Sequence, residues 1–355
     1  MFRDIVRGFE NIEALQLCSC QVHCDPLRTT LLHQTSRLIK VFAEVFPKLK
    51  TLNLQVHPET FIELIEASPS ATLQLQELSI TLDSSLYKNS ERFYESLAAL
   101  IAKVSHSLTS LKLVVPYDNL HHLFPFLGRT RLPHLSKVWF GLHTRPPYNT
   151  VRNLDGLSMF LCNHAAQLEE LHLSVYQRGM PSLPAPSLLE WYQRCFQDIP
   201  VGSKLKNLWL GSCDPRELVP LYTLVLGSVF LTLTSLLCVR AQLDFDQLEV
   251  LLSIPSCAQL RSLALYYKGV LNQQLAALFA EKCPELEQLC IRYDRNTCKQ
   301  EVGSQVLRYL DIVNLPNLTF RHPSRMCLMH NRGNRWERRT SGHTRYSLSG
   351  PRACI

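Results

Sequence analysis

Leu108-Thr109-Ser110-Leu111-Lys112-Leu113 sets three leucines at spacings of three and then two, and this hexad or a near variant recurs along the chain. It reads Ile12-x-x-Leu15-x-Leu17, Leu49-x-x-Leu52-x-Leu54, Leu75-x-x-Leu78-x-Ile80, Leu135-x-x-Val138-x-Phe140 and Leu168-x-x-Leu171-x-Leu173. It continues as Leu205-x-x-Leu208-x-Leu210, Leu233-x-x-Leu236-x-Cys238, Leu260-x-x-Leu263-x-Leu265, Leu286-x-x-Leu289-x-Ile291 and, most weakly, Leu315-x-x-Leu318-x-Phe320. Between residues 12 and 315 there are ten intervals of 26 to 37 residues, a mean of about 30, which is the period of stacked-repeat architectures.

Within each hexad the apolar residues alternate with polar ones at period two, the pattern of a strand with one buried face. Between hexads the spacing turns helical, as in Phe93, Leu97, Leu100 and Ile101, or Phe245, Leu248, Leu251 and Leu252, or Leu271, Leu275, Leu278 and Phe279. A further stripe runs through Leu31, Leu32, Ile39, Phe42 and Phe46. Strand then helix, repeated in one direction, predicts an α/β solenoid, a horseshoe or arc with parallel strands on the concave face and helices on the convex face. The expected organisation is residues 1–320 as about ten to eleven irregular repeats, with a basic, disordered tail over 321–355.

Charge supports that division. The chain of 355 residues carries a formal net charge of +7, and residues 321–355 hold eight arginines against one acid, Glu337, so the repeat body is neutral. A neutral body offers no electrostatic case for nucleic acid. Only the tail would serve a nucleic-acid or membrane-surface role, and then with steep salt dependence. Thirteen scattered cysteines and no secretory leader argue for a reducing compartment, cytoplasmic or nuclear. Val219 to Val239 is uncharged and long enough for a membrane span, but it contains Pro220 and a hexad and reads as a buried helix running into a buried strand.

Glu281-Lys282-Cys283-Pro284-Glu285-Leu286-Glu287-Gln288-Leu289-Cys290-Ile291 resembles the cysteine-containing form of the leucine-rich repeat. Phe46-Pro47-Lys48-Leu49 and Leu132-Pro133-His134-Leu135 share its helix end, proline and hexad, an order similar to that of fungal F-box leucine-rich-repeat proteins. The resemblance covers about residues 1–320. It implies a recognition scaffold, the substrate-holding portion of a ubiquitin-ligase receptor. An F-box binds the adaptor of a cullin ligase, and none is visible before Ile12, so the resemblance implies adaptor binding only if an F-box lies upstream. A leucine-rich-repeat protein with a structural or regulatory role unrelated to ubiquitin is the alternative.

The residues between the hexad leucines should point away from the core and line the concave face. Trp139, His172 and Trp209 hold the same place in three consecutive hexads, so strands about 4.8 Å apart would set the two indoles roughly 10 Å from each other with the imidazole between. Tyr266 and Arg292 follow, each one outward position later in its strand. Tryptophan, tyrosine and arginine dominate binding hot spots, so these five residues are the expected contact with a protein or peptide partner.

Other chemistry finds little support. Cys18-x-Cys20-x-x-His23-Cys24 packs four potential zinc ligands into seven residues, but a structural zinc site closes a loop between two separated pairs, and no second cluster matches. His121 and His122 are adjacent on a helical piece and diverge. No glycine–x–serine–x–glycine elbow or phosphate-binding glycine loop occurs, and 13 glycines in the whole chain do not favour one. The expectation is a non-enzyme with no cofactor, no bound metal and no small-molecule substrate.

Overall fold

Each of the ten hexads from Ile12 to Ile291 forms a strand that begins two residues after its first apolar position. The computed structural model describes residues 12–18, 48–56, 58–66, 74–82, 90–115, 120–144, 155–177, 192–193, 195–196, 199, 203–211, 219–220, 222–223, 226, 232–269, 272–294, 326–332, 335–339 and 346–347. The chain divides into two units, residues 1–180 with 194–199, and residues 181–193 with 200–355.

In the first unit, strands β1 (Ala14–Cys18), β2 (Thr51–Val56), β3 (Glu77–Leu82), β4 (Ser110–Val115), β5 (Lys137–Thr144) and β6 (Glu170–Gln177) pair in chain order, all parallel. The register is unbroken. Leu15, Leu52, Leu78, Leu111, Val138 and Leu171 stand side by side, and so do Leu17, Leu54, Ile80, Leu113, Phe140 and Leu173. From Leu52 and Leu54 onward these residues are at most 2% exposed. Burying a leucine side chain contributes about 1.5–3 kcal/mol, so a slip of one residue, which would turn this row to water, is heavily disfavoured.

Helices α1 (Pro58–Glu66), α2 (Ser90–Val104), α3 (Leu120–Arg129) and α4 (Asp155–His164) join successive strands and cover the hexad face. The stripe Phe93, Leu97, Leu100 and Ile101 is buried on α2. Phe61 of α1 meets Phe93 with ring centroids 5.0 Å apart, and Phe140 of β5 is flanked by Phe124 of α3 at 6.3 Å and Phe160 of α4 at 5.7 Å. Helices α3 and α4 touch backbone to backbone through two glycines. A Cβ added at Gly156 would lie 2.2 Å from the carbonyl of Phe124, and one at Gly128 would lie 2.7 Å from the carbonyl oxygen of Gly156.

The joint between repeats is written in main chain. One carbonyl just ahead of each strand accepts two consecutive N–H groups from the next repeat: Glu13 from Lys50 and Thr51, Lys50 from Gln76 and Glu77, Gln76 from Thr109 and Ser110, Thr109 from Ser136 and Lys137, and Ser136 from Glu169 and Glu170. A side-chain staple reinforces it. Ser107 Oγ donates to the carbonyl of Leu75, and Gln167 Nε2 to that of Leu132, each reaching back one repeat. These bonds satisfy backbone acceptors that would otherwise be stranded where the helix turns into the strand.

The second unit uses the same device. Strands β7 (Asn207–Gly211), β8 (Ser235–Leu243), β9 (Ser262–Tyr267) and β10 (Gln288–Asp294) are parallel, with Leu208, Leu236, Leu263 and Leu289 in one buried row. Lys206, Thr234 and Arg261 supply the doubly accepting carbonyls. Helices α5 (Phe245–Leu252) and α6 (Gln273–Lys282) bury Leu248, Leu251 and Leu252, and Leu275, Leu278 and Phe279. Their starts are fixed by side chains: Asp244 accepts from the N–H of Gln247 in a capping box, and Asn272 accepts from the N–H of Leu275. Both units therefore have the leucine-rich-repeat arrangement of parallel strands backed by helices that the hexads predict.

Several expectations meet a different arrangement or lie elsewhere. The place beside β10 is taken by β11 (Met326–Arg332), parallel, with Leu289 opposite Met326 and Ile291 opposite Leu328. The strand expected at Leu315-x-x-Leu318-x-Phe320 lies outside the described residues, and Met326-x-Leu328 supplies the two apolar positions the register needs. β12 (Arg335–Arg339) and β13 (Tyr346–Ser347) then pair antiparallel. These strands fall in the stretch whose composition argues for disorder; the edge of β10 offers unpaired N–H and C=O groups that a passing segment can complete whatever its side chains. The stripe from Leu31 to Phe46 lies outside the described residues, as does Leu271. The uncharged stretch from Val219 to Val239 leads into β8, and among the described residues no helix is long and apolar enough to cross a membrane.

Candidate functional site

The first unit places Lys112, Trp139 and His172 in one row, on adjacent strands, directly opposite each other in register. All three sit between hexad leucines, so the alternation that buries Leu111 and Leu113 turns them to the other face. The row is tightly coupled. The ammonium of Lys112 lies 3.9 Å from the Trp139 ring centroid, a cation–π contact. On the side of β6 the imidazole of His172 stacks on the same indole, centroids 4.8 Å apart and planes 24° from parallel. Trp139 therefore has each of its faces taken by a flanking strand and presents an edge outward.

Two residues earlier on the strands, on the same face, lies a second row of Lys137 and Glu170. His172 Nε2 donates to Glu170 Oε1 at 2.9 Å, and Lys137 Nζ is 3.9 Å from the other carboxylate oxygen. The hydrogen bond from His172 holds the Glu170 carboxyl below its ordinary value, against an opposing effect of burial and helped by the charges of His172 and Lys137. Burial pushes the Lys112 ammonium down. His172 retains 9% of its surface and Trp139 is half-buried, whereas Lys137 remains open. Behind this row Ser174 is fully buried, and its Oγ has no hydrogen-bond partner among the described residues.

In the second unit Trp209 is in register with Leu237, and that row continues through Ala264 and Cys290. Trp209 keeps only 8% of its surface, so its indole is mostly packed rather than projecting. Tyr266 is half-buried, and its phenol oxygen accepts from Gln242 Nε2 at 2.6 Å. Gln242 reaches that place because β8 carries an irregularity between Cys238 and Gln242, which re-aims the strand. Arg292 is directly beside Tyr266 in the backbone register, as the sequence expects. Thus Trp139 and His172 are brought together in one unit and Tyr266 and Arg292 in the other.

Three participants were not singled out from sequence. Lys112 shares the hexad position of Trp139 and His172, so register alone would have placed it beside the indole. Glu170 lies two residues before His172 on the same face of one strand, and that spacing is the signal for their bond. Gln242 had no such signal, because the irregularity in β8 interrupts the alternation. Cys18 ends β1, while Cys20, His23 and Cys24 lie outside the described residues, as do the side chains of His121 and His122. Among the described residues no cluster of histidine, cysteine, aspartate or glutamate is placed to hold a metal ion.

No protein-family model matches the sequence, and no curated protein matches it. Solved structures similar in fold include the Rad7 and Elc1 complex of yeast, at 16% identity and a TM-score of 0.41, where the match covers 72% of this chain and 66% of that one. This chain thus spans just under two thirds of the length of that relative. Another is an internalin from Listeria monocytogenes, at 13% identity and a TM-score of 0.31, covering 93% of this chain and 89% of that one. The leucine-rich-repeat assignment itself rests on the register, the buried hexads and the repeated carbonyl joint described above.

Proposed function

We propose that the chain is a non-enzymatic recognition scaffold that holds a protein partner on the outward face of its strands. The observation that carries this reading is the row Lys112, Trp139 and His172, fixed in register and tied to Glu170, on the face opposite the buried leucines. Side chains already held in one geometry lose little entropy on binding, which favours a preorganised contact surface. The second unit has candidate contacts of its own in Tyr266, Arg292 and Trp209. Four of the described thiols are poor nucleophiles: burial pushes Cys238 and Cys283 up to about 12, and Cys195 and Cys257 higher still. Buried free thiols at Cys195, Cys238, Cys257 and Cys283 also favour a reducing compartment, cytoplasmic or nuclear.

A finer reading is that the scaffold is the substrate-holding part of an F-box-type ubiquitin-ligase receptor. It is supported by the resemblance of the Cys283-Pro284 repeat junction and its hexad to such proteins, and it requires an F-box elsewhere to reach the ligase adaptor. Site-specific photocrosslinking tests the broader reading. A benzophenone side chain placed at Gln55 or Ser79 on the strand face should capture another protein in cells, and one at Met159 on α4 should not. Equal capture from both sides, or capture from Met159 alone, would remove the strand face as the recognition surface.

A further inference from the structure

We infer that the strand face of the first unit takes a protein segment presenting a carboxylate side chain, which docks on the ammonium of Lys112 beside the edge of Trp139. This deepens the recognition reading above and rests on it. The charges on this face are unevenly satisfied. Glu170 receives both His172 and Lys137, at 2.9 and 3.9 Å. Lys112 has an indole and no carboxylate among the described residues. A ring quadrupole orients an ammonium but does not neutralise it, so a cation held half-buried over an indole gains most from an incoming anion. Its lowered affinity for the proton reflects the same burial away from water.

The geometry also says how the anion arrives. Lys112 covers Trp139 from β4 and His172 covers it from β6, so an incoming aromatic ring cannot stack on the indole. A partner meets the indole edge, the ammonium and the aliphatic stem of Lys112. Charge matching selects among anions. Glu170 serves Lys137, Lys112 has no carboxylate among the described residues, and Glu77 stands on β3, the strand next to that of Lys112. One incoming carboxylate matches the one ammonium left without a counter-charge, while a dianionic phosphate or a polyanionic nucleic acid would bring charge against Glu170 and Glu77.

The test uses the full chain and a fluorescein-labelled decaglutamate read by fluorescence anisotropy, with decalysine as the control of opposite sign. Decaglutamate should bind and weaken as salt rises; decalysine should not bind. Lys112→Met keeps the apolar stem over Trp139 and removes the charge, and it should weaken decaglutamate by about fivefold or more, with circular dichroism unchanged. Lys112→Arg should restore binding, and that arm holds even if the methionine variant folds poorly. Unchanged binding in Lys112→Met would assign the peptide to the arginines of 321–355 and overturn the inference. Displacement by inorganic phosphate at lower concentration than by acetate would overturn the choice of carboxylate. If photocrosslinks from Gln55 and Ser79 persist while Lys112→Met has no effect, only this charge assignment falls; if those crosslinks are also missing, the recognition reading falls with it.

Discussion

His164, at the end of α4, is 2% exposed and holds two main-chain groups at once. Its Nε2 accepts the N–H of Leu132 at 3.1 Å, which obliges Nδ1 to carry the proton it donates to the carbonyl of Phe160 at 2.7 Å. The ring also packs on Phe160, centroids 4.5 Å apart. The cation would lose the acceptor at Nε2 and set a donor against the N–H of Leu132. Burial accordingly lowers the pKa of His164, outweighing the favourable bond to Phe160. With the folded value below the unfolded value of about 6.5, the unfolded chain binds the extra proton first as pH falls. The contribution is complete above the unfolded value and is lost as pH drops through about 6.5 towards the folded one. Between pH 7.5 and 5.5 the loss has a ceiling of about 1.4 kcal/mol, less where water screens the ring. His164→Leu removes this pH dependence and leaves the N–H of Leu132 unsatisfied, which costs about 1–3 kcal/mol at neutral pH. Urea midpoints of both proteins at the two pH values measure each quantity, and long-range nitrogen–proton spectra of the imidazole identify the tautomer. An Nε2–H tautomer, or an identical pH slope in wild type and variant, would refute the argument.

Gly156→Ala should lower the unfolding midpoint by the equivalent of about 1–3 kcal/mol, because the added methyl meets the Phe124 backbone, which a side-chain rotation cannot relieve. Tyr222→Phe removes a buried hydroxyl that accepts the N–H of Leu210 and lies within donating distance of the carbonyls of Leu210 and Leu237, so the Leu210 amide should exchange with deuterium markedly faster. Native protein treated with a thiol reagent at pH 8 should leave Cys195, Cys238, Cys257 and Cys283 unmodified by mass spectrometry, and denaturation should expose all four.

The strands were legible because a hexad carries its own period. Leu52 and Leu54, or Leu263 and Leu265, announce a two-residue alternation that no helix could use. The α2 stripe was legible for the same reason at a different period. Strand pairing followed once the hexads were aligned, since equal offsets in successive repeats become neighbours in register, and Trp139 beside His172 is the direct result. What escaped was set by departures from the period. Gln242 meets Tyr266 only through the irregularity of β8, and Met326–Arg332, whose Met326 and Leu328 carry the apolar alternation, lies in a stretch that is polar and basic as a whole and lacks the leading leucine of the hexad. Gly128 and Gly156 show their purpose only when two helices are seen to touch. His164 looked like any polar residue near a helix end, and its role depends on where the Leu132 amide happens to lie.

Glu13, Lys50, Gln76, Thr109 and Ser136 perform one duty with five different side chains, because the duty belongs to their carbonyl oxygens. The side chains add to it, with Thr109 and Ser136 donating hydroxyls to the carbonyls of Gln76 and Thr109 and Lys50 pairing with Glu13, but the main-chain joint does not depend on them. Such a seam can be rewritten letter by letter while the carbonyls that dock each unit on its neighbour stay in place.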